Sequence, residues 1–551
     1  MSSTFFQDPP RAPDAYATDA ALQAELARRL PAAVLARATP ILAEMGRHAA
    51  TTLPPMAAQA EAEPPVHVPY DAFGRRVDEI RVSPAWDALK KFAAEQGIVA
   101  IGYDASFGEH RRLVQAALLH LYSAASATYS CPLAMTDAAA RVLIDLAPES
   151  LKKRLVPGLL SRDPKTFLTS GQWMTERTGG SDVSGTSTIA RPKTTRGEER
   201  VYTLHGVKWF TSATTSEMAL TLARIDDGKT PPVEGSRGLS LFCVEVHRDE
   251  NAGLRGIQVN RLKDKLGTRA LPTAELTLDG VEAVMLGEPG RGVASISGML
   301  NVTRLYNAIS SASGMARALG LARDYANRRV AFGKPLAAQP LHAETLAEME
   351  ADTAGALALS LEVASLLGRA EHGVATDDEK RRLRGLIPLA KLTTAKQAVA
   401  CASEGLECFG GAGYVEDTGL PRLLRDAQVL SIWEGTTNVL SLDVLRAEAK
   451  EGALTAVLAD LARRAETLPR SLPEKPVELA RLALGRLHKR LASLVSGGST
   501  DAMERDARRI SLCTGHLAES LLLAETATAG APGSAERFDR FTRSRLAAAL
   551  E

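Results

Sequence analysis

Cysteine is scarce and scattered in this chain. Its five residues stand at 131, 243, 401, 408 and 513, with no spacing that builds a zinc site or a disulfide framework. Reduced thiols are the expectation. An excess of charge of either sign is also lacking. The formal net charge of +1 excludes the chain-wide positive field that marks many nucleic-acid binders. Long apolar runs are missing as well: the best stretch, Leu113 to Met135, is interrupted by Gln115, His120 and several Ser, so no bilayer span is expected. The opening MSSTFFQDPPRAPDAYATDA carries Pro and Asp and no apolar core, unlike a secretory signal peptide. These absences together set the expectation of a cytoplasmic protein without a membrane partner. Two phosphate-binding fingerprints are absent too. There is neither a G-x-G-x-x-G nor a G-x-x-x-x-G-K-[ST] run, so any nucleotide cofactor must be held without a Rossmann turn or a P-loop.

What is present is ordinary in bulk and informative in pattern. The 551 residues are too many for one core, and 45% hydrophobic with 24% charged residues is the balance of a globular protein. Residues 1–165 read as mainly helical, with Ala-Leu periodicity in AALQAELARRLPAAVLARATPIL and RRLVQAALLHLYSAASATY and a Pro-rich break at AEPPVHVP. From 166 to 290 the texture turns to β, in VYTLHG, LSLFCVEV and AELTLDGV. Helical periodicity returns over 291–450, and 451–551 is an extra helical piece broken at LPRSLPEKP, SGGST and AGAPGS. Segregated blocks predict an α+β fold rather than alternating βαβ units.

Three constellations carry chemistry. Met174-Thr-Glu-Arg-Thr-Gly-Gly-Ser-Asp-Val183 concentrates glycines and hydroxyls in one loop. Gly179 and Gly180 permit close backbone approach, and Thr175 and Ser181 can hydrogen-bond a heterocycle or a pyrophosphate; a surface turn would look the same. Gly206-Val-Lys-Trp-Phe-Thr-Ser212 sets an aromatic pair beside hydroxyls, suited to stacking on a planar ring or to an ordinary buried strand. Ser431-Ile-Trp-Glu-Gly-Thr-Thr-Asn438 places a carboxylate, Glu434, between Trp433 and Gly435. Desolvation there would make it a better general base; a surface Glu at a helix end is the plain alternative.

Taken together and in this order, M-T-E-x-x-G-G-S-D-V, K-W-F-T-S, R-x-x-F-G-K-P-L at 329–336, G-G-A-G-Y at 410–414 and W-E-G-T at 433–436 resemble the acyl-CoA dehydrogenase superfamily. FGRRVDEIRVSPAW near 73–86, RLKDKLGTRA at 261–270, LPRLLRD at 420–426, SIWEGTTNVLSLDVLR at 431–446 and the C-terminal helical extension resemble its AidB-like, adaptive-response subgroup.

The resemblance implies an N-terminal helical domain, a central β domain and a C-terminal helical bundle, here with one more helical domain. It implies FAD as cofactor, held without a Rossmann fold. By the match, Met174, Thr175, Gly180 and Ser181 would line the cofactor, with Thr175 near the flavin ring and Ser181 by the pyrophosphate. Phe210 would face the isoalloxazine and Ser212 would replace the usual flavin-contacting Thr. Arg329, Phe332, Gly410 and Gly411 would reach the FAD of a neighbouring subunit, which implies a homo-oligomer, most simply a homotetramer. Trp433, Thr436 and Asn438 would approach the cofactor too; they flank Glu434, which occupies the place of the catalytic base that removes the α-proton of an acyl-CoA. A related branch carries its base before an Arg on a helix of the bundle, where this chain has Thr303-Arg304.

The AidB-like subgroup keeps this machinery and is associated with protection of DNA against alkylation. Two functional expectations therefore stand side by side: an FAD-dependent acyl-CoA dehydrogenase, and a flavoprotein binding DNA through its last domain with little turnover. An acyl-binding scaffold is a third. Residues 451–551 hold 15 Lys/Arg against 13 Asp/Glu, a small excess for a duplex binder. The clusters Arg486/Lys489/Arg490, Arg505/Arg508/Arg509 and Arg537/Arg540/Arg543/Arg545 nonetheless each repeat at helical spacing.

Overall fold

The computed structural model describes residues 8–229, 231–249, 253–497 and 499–550. They form two compact units, each built from separated stretches of chain: one from 55–104 and 126–306, the other from the first 54 residues, 105–125 and 307–551.

The first unit is organised by a seven-stranded sheet. Strands Thr273–Leu286, Glu199–Ser212, Ile189–Arg196, Met218–Ile225 and Leu239–Glu245 pair in that order, and the last returns to pair with the first. Closing the ring removes the exposed edges that an open sheet would present. Strands Ile257–Leu262 and Ser170–Trp173 extend it on Thr273–Leu286 and Met218–Ile225. Inward residues Leu204, Phe242, Val259, Leu276 and Met285 fill a common core. Met218–Ile225 and Leu239–Glu245 are buried almost throughout, so they read as continuous apolar runs rather than alternations. The segment read from sequence as a Pro-rich break also contributes a strand, Val66–Tyr70, paired antiparallel with Arg76–Arg81. Five residues containing a Pro give too short a signal for periodicity to register. Helix Pro84–Glu95 is capped at its start: Ser83 Oγ accepts from Trp86 N at 3.1 Å with Pro84 in the first turn.

The second unit is helical. Its central pair, Pro340–Glu371 and Asp377–Glu407, is joined by a capping box in which Thr376 and Glu379 satisfy one another's backbone N–H groups. Pro340–Glu371 is long and apolar enough to cross a membrane, but its apolar window is 94% buried in the folded chain. The Leu113–Met135 stretch is instead split between helices Arg111–Tyr122 and Ser130–Leu146.

The last three helices, Glu474–Gly497, Thr500–Thr528 and Ser534–Leu550, bury Leu523, Phe538 and Phe541 with Ala351 and Ala354 of the central pair. Helix Ala20–Arg29 joins the same unit through charge. Arg29 bridges Glu25 at 2.7 Å and Glu362 at 2.6 Å, while Arg464 bridges Glu362 at 2.6 Å and Glu525 at 2.7 Å. Burial alone would raise the Glu362 carboxyl, yet Arg29 and Arg464 hold it down at about 2.

Candidate functional site

In the β unit the site residues gather on the loop after Ser170–Trp173 and on the end of Glu199–Ser212. A buried carboxylate organises the loop. Glu176 accepts from Ser187 N at 2.7 Å, Ser187 Oγ at 2.8 Å, Thr188 Oγ1 at 2.5 Å and the fully buried Lys208 Nζ at 2.8 Å. Burial would raise this carboxyl; the Lys208 charge and these hydrogen bonds outweigh it and hold it at about 2. Lys208 Nζ also donates to Leu222 O at 3.0 Å. Glu176 and Gly179 exchange backbone hydrogen bonds at 3.3 and 3.1 Å, and Gly179 has φ 131°, a conformation open to glycine. The turn brings Gly180 against Thr175: a Cβ on Gly180 would lie 2.6 Å from Thr175 Oγ1. Thr175 O accepts from Trp209 N at 2.9 Å, tying loop to strand. Met174 is buried, while Gly180 and Ser181 are exposed.

The strand presents its aromatics through a bulge. Thr211 pairs with Ala274 and Lys208 with Leu276, so Trp209 and Phe210 together oppose Glu275 alone. Strict alternation would put Lys208 and Phe210 on one face. The extra residue resets it: Lys208 and Thr211 both point inward and Phe210 is 41% exposed. Lys263 Nζ lies 3.6 Å from the centre of the Trp209 ring and binds Glu275 at 2.6 Å. Ser212 Oγ lies 3.2 Å from Thr273 Oγ1.

In the helical unit Glu434 sits in the turn between helices Pro421–Leu430 and Thr437–Glu451. Glu434 has φ 55° and Gly435 φ 103°. A glutamate in the left-handed region is strained, and such strain persists only where the surroundings impose it. Here they do. Lys391, fully buried on Asp377–Glu407, donates to Gly435 O at 2.6 Å. Asn307 Nδ2 donates to Leu430 O at 3.0 Å. Thr436 caps the following helix, accepting from Val439 N at 3.4 Å, and the Leu440 side chain fills the space beside Gly435. Trp433 and Glu434 are half-buried. Asn438 is exposed and its Oδ1 accepts from Arg508 at 3.1 Å, so the C-terminal extension reaches this turn.

The remaining residues occupy two exposed turns. Arg329 precedes a two-residue hairpin turn at Phe332 and Gly333, with φ 49° and 79°; Phe332 is 97% exposed. Gly410 and Gly411 open a 3-10 turn ending at Tyr414, which is 91% exposed. Tyr325 and Phe409 pack with ring centroids 5.3 Å apart and planes tilted by 59°, at the bases of the two turns. Thr303, at the alternative base position, is buried and donates to Met299 O at 3.2 Å. Among the described residues no cluster of His, Cys, Asp or Glu is set to hold a metal. The supports Glu176, Lys208, Asn307 and Lys391 were not singled out from the sequence; a Lys inside the apolar run LIPLAKLTT was the one visible sign.

In the β unit a glycine cradle beside a Thr hydroxyl, exposed hydroxyls and an exposed aromatic suit a flavin nucleotide; the helical unit by itself presents a carboxylate on a constrained turn. Comparison with known proteins agrees. A model of the acyl-CoA dehydrogenase middle domain matches residues 171–281 and one of the C-terminal domain residues 290–449. The N-terminal domain of the adaptive response protein AidB matches residues 7–164. Acyl-CoA dehydrogenase family member 11 of Caenorhabditis elegans is 46% identical over 514 residues, 92% of this chain and 82% of its own length. Putative acyl-CoA dehydrogenase AidB of Escherichia coli is 34% identical over 410 residues, 73% of this chain and 72% of its own. The crystal structure of C. elegans ACDH-11 in complex with C11-CoA superposes with a TM-score of 0.93 at 43% identity, covering 99% of this chain and 93% of that one.

Proposed function

The chain belongs to the acyl-CoA dehydrogenase family, and from that membership we infer that it is an FAD-dependent oxidoreductase introducing an α,β double bond into an acyl-CoA, with Glu434 as its base. The observation that carries the assignment of the base is the Glu434–Gly435 turn, a carboxylate in a strained conformation fixed by a buried lysine.

FAD, when bound, accepts the hydride from the β-carbon. The chain's own part is the proton: the Glu434 carboxylate takes it from the α-carbon, and the electrons of that C–H bond form the double bond as the hydride departs. Thr175 and Ser181 offer hydroxyls, and Gly180 leaves room for close approach. The exposed face of Phe210 suits a planar ring. Arg329, Phe332, Gly410 and Gly411, on exposed turns, suit a role in completing the cofactor site of a second copy, and a homotetramer in the cytoplasm is the assembly we favour. The C11-CoA bound by the C. elegans relative makes medium-to-long acyl-CoAs the first substrates to try.

DNA binding through the C-terminal helices draws less support. Arg537 pairs with Glu350 at 3.2 Å and Arg543 with Asp539 at 2.7 Å. Arg490, Arg540 and Arg545 pair with Asp506, Glu344 and Asp352. These guanidiniums are engaged within the chain. The experiment that decides the function is anaerobic titration of the yellow protein with acyl-CoAs from C4 to C16, following the flavin band. Bleaching by at least one chain length supports dehydrogenation; no bleaching with any of them removes it and leaves the DNA-binding reading.

A further inference from the structure

The helical unit contains a cavity of about 310 Å³ that none of the flavin or base residues lines. Its walls come from the segment around Pro13, from helix Ala20–Arg29, and from residues of Arg111–Tyr122, Ser297–Arg328 and Pro340–Glu371. This volume is at the lower end of the roughly 300–1,000 Å³ of small-molecule sites. Most of the lining is apolar, with Ala316, Leu319, Leu321, Ala354 and Leu357 on the long helices.

The charged groups of the cavity are paired, with one exception. Asp19 accepts from Leu22 N at 2.8 Å and lies 2.9 Å from His120 Nε2. Asp324 pairs with Arg328, and Glu350 pairs with both Arg323 and Arg537. Arg317 has no carboxylate partner among the described residues. Its guanidinium makes a single hydrogen bond, to Ala49 O at 3.3 Å. A guanidinium presents five N–H donors and stays charged in a protein; Arg317 is half-buried at the cavity wall, so it has lost part of its hydration, and an anion in the cavity would replace it. Burial, reinforced by the nearby charge of Arg422, pushes Arg317 down to about 10, which agrees with that loss of hydration.

We propose that this cavity is a second ligand site, which takes a small apolar monocarboxylate with its carboxylate on Arg317 and its hydrocarbon body against Leu319, Leu321 and Leu357. The charge selects the head group. One uncompensated cation matches one negative charge, and a carboxylate presents two oxygens that accept bidentately from the guanidinium fork. The walls favour an apolar body: among the described residues the cavity has no second unpaired cation for a phosphate, and Leu319, Leu321, Leu357 and the alanines outweigh the few hydroxyl and amide groups of Thr18, Ser313, Asn327 and Thr353. The proposal is independent of the dehydrogenase reading, because the cavity shares no residue with the proposed flavin site or with Glu434.

The test is calorimetric titration of the full-length holoprotein with octanoate and decanoate, alone and with the acyl-CoA site saturated. Saturable binding of one carboxylate per chain, unaffected by acyl-CoA, is expected. R317Q should weaken it at least tenfold while leaving flavin bleaching by acyl-CoA unchanged. A second variant, A316W, fills the cavity while keeping Arg317 and should also abolish binding; circular dichroism and FAD content report whether each variant folds. No saturable binding by the wild-type protein overturns the proposal. So does binding that R317Q and A316W retain, or binding that acyl-CoA displaces, since the carboxylate would then occupy the acyl site.

Discussion

At the scale of single residues the chemistry rests on Glu434 and on what holds it. An α-proton of a thioester is weakly acidic, so its removal needs a carboxylate fixed in place. Glu434→Gln keeps shape and hydrogen bonding but removes basicity. The variant should bind FAD and acyl-CoA and bleach its flavin about 10²–10⁴-fold more slowly in single-turnover stopped flow; bleaching at the wild-type rate would assign the base elsewhere. Lys391 acts through Glu434 as a positioning residue. Its ammonium holds Gly435 O at 2.6 Å, and losing that bond removes one of the contacts that keep a glutamate at φ 55°. Lys391→Met should lower the maximal bleaching rate by about 10²-fold, the cost of a displacement near 1 Å, with little change in the acyl-CoA concentration giving half that rate. Glu434 was legible in the sequence because the run W-E-G-T is local. Lys391 lies 43 positions earlier in the numbering, and only the fold makes the two neighbours.

At the scale of elements, the closed sheet shows how far pattern reading reaches. VYTLHG, LSLFCVEV and AELTLDGV each lie in strands of the ring, since β-branched and apolar residues at short spacing are a local signal. The bulge at Trp209 and Phe210 was not legible. It depends on which residue of Thr273–Leu286 stands opposite, and pairing is a property of two strands. The same limit hid the Glu176–Lys208 pair, whose members are 32 residues apart. That pair has a pH signature. Glu176 has an ordinary value of 4.5 and is held at about 2 in the folded chain. A carboxyl depressed by folding contributes stability that is complete above its unfolded value and lost as pH falls from about 4.5 towards 2. Lys208→Met leaves a buried carboxylate without its cation, which typically costs about 3–5 kcal/mol. The variant's acid-unfolding midpoint, read by tryptophan fluorescence, should move to higher pH than that of the wild type. An unchanged midpoint would mean that the pair contributes nothing to holding the loop that carries Thr175 and Ser181.

At the scale of the whole molecule, charge and exposed apolar surface point to different partners. The last hundred residues carry only a slight excess of Lys and Arg, and many of those arginines are engaged in ion pairs. Duplex binding, if measured, should therefore be weak at physiological salt with a steep salt dependence; tight binding lost on changing Arg505, Arg508 and Arg509 to Ala would reverse that weighting. The apolar surface argues for a second copy of this chain. A two-residue hairpin turn with both φ values positive favours Asn-Gly or Asp-Gly, yet this one carries Phe332 at φ 49°, 97% exposed. Leaving a phenyl ring in water forgoes about 1.5–3 kcal/mol of burial, on top of the backbone strain. Neither cost has a return within the chain. Both have one if the ring packs on a neighbour, together with Tyr414 from the adjoining glycine turn. Phe332→Asn suits the turn better and removes the ring. The isolated variant chain should therefore fold at least as well, while its light-scattering mass falls to a smaller species and its FAD content drops with it. A wild-type protein that is monomeric at low concentration and still holds one FAD per chain would show that these turns serve something other than a neighbour's cofactor.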